Sequence, residues 1–245
     1  MGTPMDTVRR VKRLFRPQAR ELRESCSTRS YSQCGEDIIV DYIFRLRGVE
    51  RPSFIDIGAH HPFSLNNTAR LYDRGCRGVS IEPNPAAIQL FNEYRREDVN
   101  LNIGISNEGG KADFFMMEDN TLSTFSEPER DKMVSHGQRV AGVTKVEMMS
   151  LPAVIEQFCR GSFPDFMSLD VEGMELPILR SIDFDKSCPK IICVEIADYS
   201  PIGAGRRRTE LADVLEDKGY YEYANTNLNA ILVQNQFWFG PVGKK

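Results

Sequence analysis

Short apolar runs alternate along this chain with stretches in which apolar residues recur every three or four positions, the mixture that alternating strands and helices produce. Ile38, Ile39, Tyr42 and Ile43 recur at helical spacing within 31–46, with Ser32 placed to cap that helix and Glu36 to fall in its first turn. Residues 54–57 read as a strand. The helix after it runs to Arg74, with Asn66 or Asn67 as its cap and Gly75 as its stop. A second strand at 78–82, an amphipathic helix at 85–94 carrying Ile88, Leu90 and Phe91, and a third strand at 99–105 follow.

The pattern then changes. Strands at 111–117 and 142–149 flank a polar stretch, 118–139, that includes Thr121, Leu122, Ser123, Thr124 and His136. It is long for a structureless loop and reads as a substrate-facing lid or a mobile surface loop. Alternation resumes with a helix capped by Ser150, a fourth strand at 165–170, a helix beginning near Glu172, a fifth strand at 191–196 and a helix at 206–218 stopped by Gly219. Segments 220–223 and 230–237 frame a polar turn and read as a terminal hairpin. The whole predicts an α/β domain, a doubly wound and mostly parallel sheet with an antiparallel C-terminal edge. The domain covers 31–245, carries an insertion around 108–149, and follows a basic leader, 1–30.

At 245 residues, 41% hydrophobic and 27% charged, the chain has room for one large domain and an ordinary soluble composition. It contains no apolar run long enough to span a bilayer, and its basic start lacks the apolar core of a secretory signal. Six scattered cysteines, at 26, 34, 76, 159, 188 and 193, fit a reduced cytoplasm. Only three histidines are present, two of them adjacent, which argues against a zinc site. Residues 1–25 hold seven Lys/Arg against three acids. The whole chain has 31 and 35, so 24 bases face 32 acids in the body. So acidic a body suits no nucleic-acid duplex. The leader, in which Val8, Val11 and Phe15 form a narrow apolar stripe among basic residues, is either solvated or a peripheral contact with anionic lipid.

The chemistry gathers between 54 and 83. The first strand ends in Asp56-Ile57-Gly58, and the second ends in Glu82-Pro83. A glycine admits a ligand close to the backbone, and an acid at the next strand end can accept both hydroxyls of a ribose. His60 and Phe63 stand where a dinucleotide fingerprint has its second and third glycines. A pyrophosphate therefore fits badly, and a cofactor with a ribose but no phosphate, such as S-adenosylmethionine, fits better. Ser106 and Asn107, beyond the third strand, are candidates for the adenine side.

Tyr31 to Asp37 (YSQCGED), Phe54 to Ala59 (FIDIGA), Asn66-Asn67-Thr68, Gly78 to Pro83, and Ser168 to Glu175 (SLDVEGME) resemble the FkbM-type methyltransferases. The resemblance spans roughly 31–200 and is most specific at Asp-Val-Glu-Gly-x-Glu; the family usually has Asn where this chain has His60. It implies a class I methyltransferase fold, S-adenosylmethionine as donor, and a hydroxyl acceptor on a sugar, glycoconjugate or natural product. It also implies that the segment holding Gln33 closes over the cofactor. Cofactor-binding candidates are then Gln33, Asp56, Gly58, His60, Glu82, Pro83, Ser106 and Asn107.

Asp170 and Glu172, at the junction of the fourth strand and its helix, are candidates to orient or deprotonate the acceptor. They can equally bind the cofactor's amino group, or hold a divalent cation with Glu195 or Asp198. His61 is a further candidate base, His136 a weaker one, and Glu175 reads as a helix-starting acid. Two other functions share this pattern: a nicotinamide-dependent dehydrogenase, and a non-catalytic nucleoside-binding or assembly protein.

Overall fold

The computed structural model describes residues 21–198, 200 and 205–241. The chain divides into two units, Met1–Ser30 and Tyr31–Lys245. In the first, residues 21–26 are helical; the leader helix expected around Val8 to Phe15, and the lipid contact expected of it, lie outside the described residues. The second unit holds everything that follows.

Its centre is a seven-stranded sheet. The strands, in chain order, are β1 (Phe54–Ile57), β2 (Gly78–Ile81), β3 (Val99–Leu101), β7 (Phe166–Leu169), β8 (Ile191–Glu195), β9 (Tyr220–Asn225) and β10 (Asn229–Gln234). Their spatial order is β3-β2-β1-β7-β8-β10-β9. The first five run parallel, and β10 is antiparallel to both of its neighbours, β8 and β9. The chain winds outward from β1 to β3 and then returns to place β7 on the other side of β1. This reversal opens a crevice beyond the carboxyl ends of β1 and β7, where open α/β sheets bind ligands.

Period-two alternation sorts the strand residues onto two faces. Ile55, Ile57, Val79, Ile81, Met167, Leu169, Ile192 and Val194 face one layer, built from α5 (Leu151–Phe158), α6 (Glu175–Arg180) and α7 (Thr209–Glu216). Phe54, Phe166, Ile191, Cys193, Ile231 and Val233 face the other, built from α1 (Glu36–Leu46), α2 (Ala69–Asp73) and α8 (Asn235–Phe239). Helix α3 (Pro85–Tyr94) packs Ile88 and Phe91 against Ala59. Its first turn is closed by Asn84, whose side chain accepts the Ala86 N–H at 3.0 Å.

Between β3 and α5 lies a second sheet of order β4-β6-β5, formed by β4 (Gly104–Ile105), β5 (Gly110–Met117) and β6 (Val140–Met149). The polar stretch between β5 and β6 is structured, with a 3-10 turn at Asn120–Leu122 and helix α4 (Glu127–Ser135).

Four local expectations change. The third strand does not run from 99 to 105, because the chain leaves the main sheet after Leu101 and pairs Gly104 and Ile105 with β6. Helix α1 starts at Glu36, with Gly35 at φ 90° as its cap residue. Ser32, further upstream, still accepts the amides of Gly35 and Asp37 at 3.1 and 3.3 Å. Thr68, not Asn66 or Asn67, precedes α2. The helix after β7 starts at Glu175: Glu172 at φ 49° and Gly173 at φ 101° are left-handed and hold the chain in a loop.

All six cysteines are free. No helix among the described residues is long and apolar enough to cross a membrane.

Candidate active site

The carboxyl ends of β1, β2, β7 and β8 surround a cleft of about 1140 Å³, open solvent included. Gly58 follows β1 at φ 81°, and its amide and that of Ala59 both donate to the Ile81 carbonyl at 3.0 Å. Asp170, just past β7, donates its amide to the Ile57 carbonyl at 3.0 Å. The two strand ends thus touch through backbone at the point where the crevice opens.

Glu82 ends β2, is 6% exposed and lines the cleft. One carboxylate oxygen accepts the His60 N–H and the other the Asn84 N–H, both at 2.7 Å. Its pKa is pushed up to about 7, first by burial, with Asp56 and Asp170 adding to the rise and the two amides opposing it. Each oxygen keeps a lone pair toward the cleft, an acceptor pair suited to a vicinal diol. His60 sits at φ 55° with its side chain on the cleft wall. Burial lowers its pKa, helped by His61 and opposed by Asp119, so its imidazole is neutral.

On the opposite wall stand Asp170, Glu172 and Glu195. The Asp170 pKa is raised by the protein mass around it, then by Glu175 and Asp56, against Arg208 and a hydrogen bond with Glu195. Its side chain is open to water through the cleft, which tempers the burial effect. Glu172 and Glu195 are raised as well, by burial first and then by the neighbouring acids. Glu175 is fully buried and holds the loop from beneath. Its carboxylate accepts the amides of Val171 and Gly173 at 3.1–3.3 Å and pairs with Arg208 at 2.7 Å. Oxygens of Asp170, Glu175 and Glu195 lie within 4.8 Å of one another, close enough to share a cation. Glu175, however, is already engaged.

The inserted sheet supplies the third wall through Phe114, residues 120–123 and Phe125. It also clamps the acid loop. Thr124, 1% exposed, donates its hydroxyl to the Glu172 carbonyl at 2.9 Å and accepts the Ser126 N–H at 2.9 Å. A side chain at Gly173 would lie 2.8 Å from Cγ of Glu129 on α4. Thr124→Val keeps the shape and loses both bonds. It should destabilise the protein by about 1–2 kcal/mol, read as a lowered urea midpoint; an unchanged midpoint would show that the clamp contributes nothing.

Of the residues expected at the site, Gln33, Gly58, His60, Glu82, Pro83, Asp170 and Glu172 line the cleft. Asp56 does not. Alternation along β1 puts it on the Phe54 face, where it is 3% exposed and accepts from Asn66 Nδ2 at 3.0 Å and Thr68 Oγ1 at 2.7 Å. Its pKa is raised by burial, against Arg95 and those hydrogen bonds. Arg95, fully buried, reaches Asn66 and Thr68 and pairs with Asp98 at 2.8 Å. This network shapes the loop after β1 from behind. His61 is also outside the cleft, because its Nδ1 accepts the amides of Phe63 and Ser64 at 3.1 and 3.0 Å. Ser106 and Asn107 follow β4 away from the cleft; Ser106 donates its amide to Met149 and accepts that of Gly109. His136 is exposed on the far end of α4.

The fold adds Ile103, Ile105, Leu65 and Met174 to the lining, and it brings Glu195, expected only as a cation ligand, beside Asp170 on the cleft. Glu195 carried a readable signal, an acid closing an apolar strand as Glu82 does. The others carried none.

A family model described as the methyltransferase FkbM domain matches residues 56–221. The chain belongs to the FkbM methyltransferase family. Its activity is accordingly S-adenosylmethionine-dependent methyl transfer. No curated protein matches this FkbM chain in sequence. Among solved structures it is similar to the 1,6-didemethyltoxoflavin-N1-methyltransferase of Burkholderia thailandensis, solved with 1,6-didemethyltoxoflavin and S-adenosylhomocysteine bound. The identity is 10% over 95% of this chain and 89% of that one, with a TM-score of 0.40. A candidate caffeoyl-CoA O-methyltransferase of Staphylococcus aureus is 11% identical over 88% of this chain and 90% of that one, with a TM-score of 0.43. The class I architecture of this FkbM protein rests on its own strand order and on the single reversed strand β10 between β8 and β9.

Proposed function

We propose that this FkbM methyltransferase moves the methyl group of S-adenosylmethionine to a hydroxyl of a sugar-like or natural-product acceptor. The observation that carries this reading is the Glu82 carboxylate, held between two amides and facing a cleft lined by Asp170, Glu172 and Glu195. No Lys or Arg lines that cleft among the described residues. A ribose diol satisfies such a carboxylate, whereas the diphosphate of a nicotinamide cofactor would bring negative charge against four acids.

S-adenosylmethionine, when bound, supplies a methyl carbon on a positively charged sulfur, which leaves with the bonding pair as the acceptor oxygen takes the carbon. Glu82 anchors the ribose. Asp170 and Glu172 face the acceptor, and Asp170, its pKa already raised, takes the hydroxyl proton. Ile103, Ile105 and Phe125 supply apolar wall for the adenine. Orientation contributes roughly 7–11 kcal/mol in well-aligned systems and a base about 3–5 kcal/mol, so the walls matter more than the proton acceptor. Asp170 and Glu195 can also present oxygens to a divalent cation.

Calorimetry with S-adenosylhomocysteine and NAD tests the donor half of this reading. The expected result is binding of the first and none of the second; the reverse would mark a dehydrogenase. Binding without turnover across an acceptor panel would mark a nucleoside-binding protein.

The pH dependence is a sharper test. Glu82 has its folded pKa above the ordinary carboxylate range, so the empty protein loses stability as pH rises from about 4.5 to about 7. Ribose hydroxyls donate to the ionised form, so binding must release the proton. Affinity for S-adenosylhomocysteine should weaken roughly tenfold per unit below about 7 and level off above it. A flat profile between pH 5.5 and 8 would remove Glu82 from the ribose.

A further inference from the structure

Gln33 lines the cofactor cleft, yet its side chain is exposed and makes no hydrogen bond with the described residues. A long side chain in that condition samples several rotamers, so the place of its amide depends on the backbone beneath it. That backbone is the turn from 31 to 35. At one end the Tyr31 carbonyl accepts the Asn66 N–H at 3.0 Å, and the Tyr31 N–H donates to Asp37 at 2.8 Å. At the other the Cys34 N–H donates to Glu36 Oε2 at 2.8 Å, and Gly35 turns the chain at φ 90°.

Glu36 falls in the first turn of α1, where an acid ordinarily serves only the helix dipole. Here its side chain is fully buried. Its second oxygen, Oε1, accepts the Thr226 hydroxyl at 2.8 Å and Asn229 Nδ2 at 3.0 Å, 190 and 193 positions along the chain. Burial acts to raise its pKa, but the hydrogen bonds outweigh burial and hold it below the ordinary carboxylate range, so the group is ionised. Thr226 and Asn229 belong to the turn between β9 and β10, which also supports the far wall of the cleft. The Leu228 carbonyl accepts the Ile196 N–H at 2.8 Å, and Asn229 stands opposite Glu195 in the β8–β10 register. One buried carboxylate therefore joins the turn that carries Gln33 to the strand end that carries Glu195.

Resting on the function proposed above, we infer that Glu36 is a positioning residue for the cofactor: through the Cys34 amide, and anchored on the C-terminal hairpin, it fixes the turn from which Gln33 presents its side-chain amide to S-adenosylmethionine. Glu36 itself touches neither cofactor nor acceptor. A carboxamide at 36 cannot replace it, because one of its two ends is a donor and must face either the Cys34 amide or the Thr226 and Asn229 donors.

The test is a double-mutant cycle on the full chain, read by calorimetry with S-adenosylhomocysteine. Glu36→Gln and Gln33→Ala should each weaken binding about tenfold, equivalent to about 1.4 kcal/mol. The double variant should lie within about twofold of Gln33→Ala, since the first substitution acts through the side chain that the second removes. A purely structural carboxylate would not show this dependence on Gln33. The reciprocal change, Glu36→Gln with Asn229→Asp, should return affinity to within about threefold of the parent, because the carboxamide at 36 then accepts from Cys34 and donates to the carboxylate at 229. Should Glu36→Gln fail to fold, Thr226→Val carries the same cycle. It should weaken binding at least about threefold, and not at all on the Gln33→Ala background.

Effects that multiply to about a hundredfold in the double variant overturn the inference. So does unchanged affinity in Glu36→Gln or in Gln33→Ala, and each of these results leaves the methyltransferase reading standing. Failure of the unaltered protein to bind S-adenosylhomocysteine brings down both.

Discussion

Gly58→Ala should lower the melting temperature by about 10 °C and abolish measurable binding of S-adenosylhomocysteine. A Cβ built on Gly58 falls 1.7 Å from the Asp170 carbonyl oxygen and 2.8 Å from its carbon. Neither atom can retreat cheaply, because the Asp170 amide is bonded to Ile57 at the end of the β1–β7 register. The residue also sits at φ 81°, a conformation that costs a side chain about 1–2 kcal/mol before any clash is counted. With the displacement of β7 added, the loss is roughly 3 kcal/mol or more, and each kcal/mol shifts melting by about 2–4 °C in a domain of this size. Thermal melts and calorimetry measure both effects. A variant melting within about 2 °C of the parent with full affinity would show that β1 and β7 part without consequence, and the account of the crevice would be wrong.

Asp170→Asn should cut turnover by about 10²- to 10⁴-fold while leaving the protein at least as stable as the parent. The direction of the stability change follows from charge. Asp170 is one of three acids whose oxygens lie within 4.8 Å of one another, its pKa is raised by burial and by Glu175, and its removal relieves repulsion on those that remain. Ribose anchoring through Glu82 is untouched, so affinity for S-adenosylhomocysteine should stay within about tenfold. Single-turnover kinetics with S-adenosylmethionine then separates chemistry from binding. Near-normal turnover would remove Asp170 as the proton acceptor and pass that role to Glu172 or to the neutral His60 imidazole. Loss of binding together with turnover would instead make Asp170 a partner of the cofactor's amino group.

Much of this was legible in the chain. The runs at 54–57, 78–81, 166–169 and 191–195 are short, mostly apolar and bounded by Gly, Pro or an acid, as suits buried parallel strands. Glu82 and Asp170 were identifiable because each ends such a run. Asp56 was misleading for a reason that alternation contains: three residues of β1 pack as hydrocarbon, so its fourth reads as a ligand when it faces the buried Arg95 network. His61 misled because a histidine in a turn can be used up by two backbone amides, which no spacing reveals.

The stretch from Glu93 to Asp98, Glu-Tyr-Arg-Arg-Glu-Asp, is mostly charged, yet Arg95 and Asp98 are both buried and paired; Arg95 holds the loop after β1 through Asn66 and Thr68, and Asp98 accepts the Gly78 amide at the start of β2. Which of two adjacent arginines turns inward depends on where α3 ends against β1, a distance set by packing. Equally, Ile103, Phe125 and Glu195 meet at the cleft from parts of the chain far apart in number.

Sequence by itself determined the alternating elements, the two-faced burial of the strands, the glycine at the first strand end and the acids that close the second and fourth, because periodicity and chain-end chemistry are local. Tertiary structure alone decided which of those polar residues share a cavity and that the inserted sheet clamps the Glu172 loop. Those facts follow from the return of the chain to β7 beside β1, a contact between residues more than a hundred positions apart whose energy lies in packing and backbone pairing that no local pattern records.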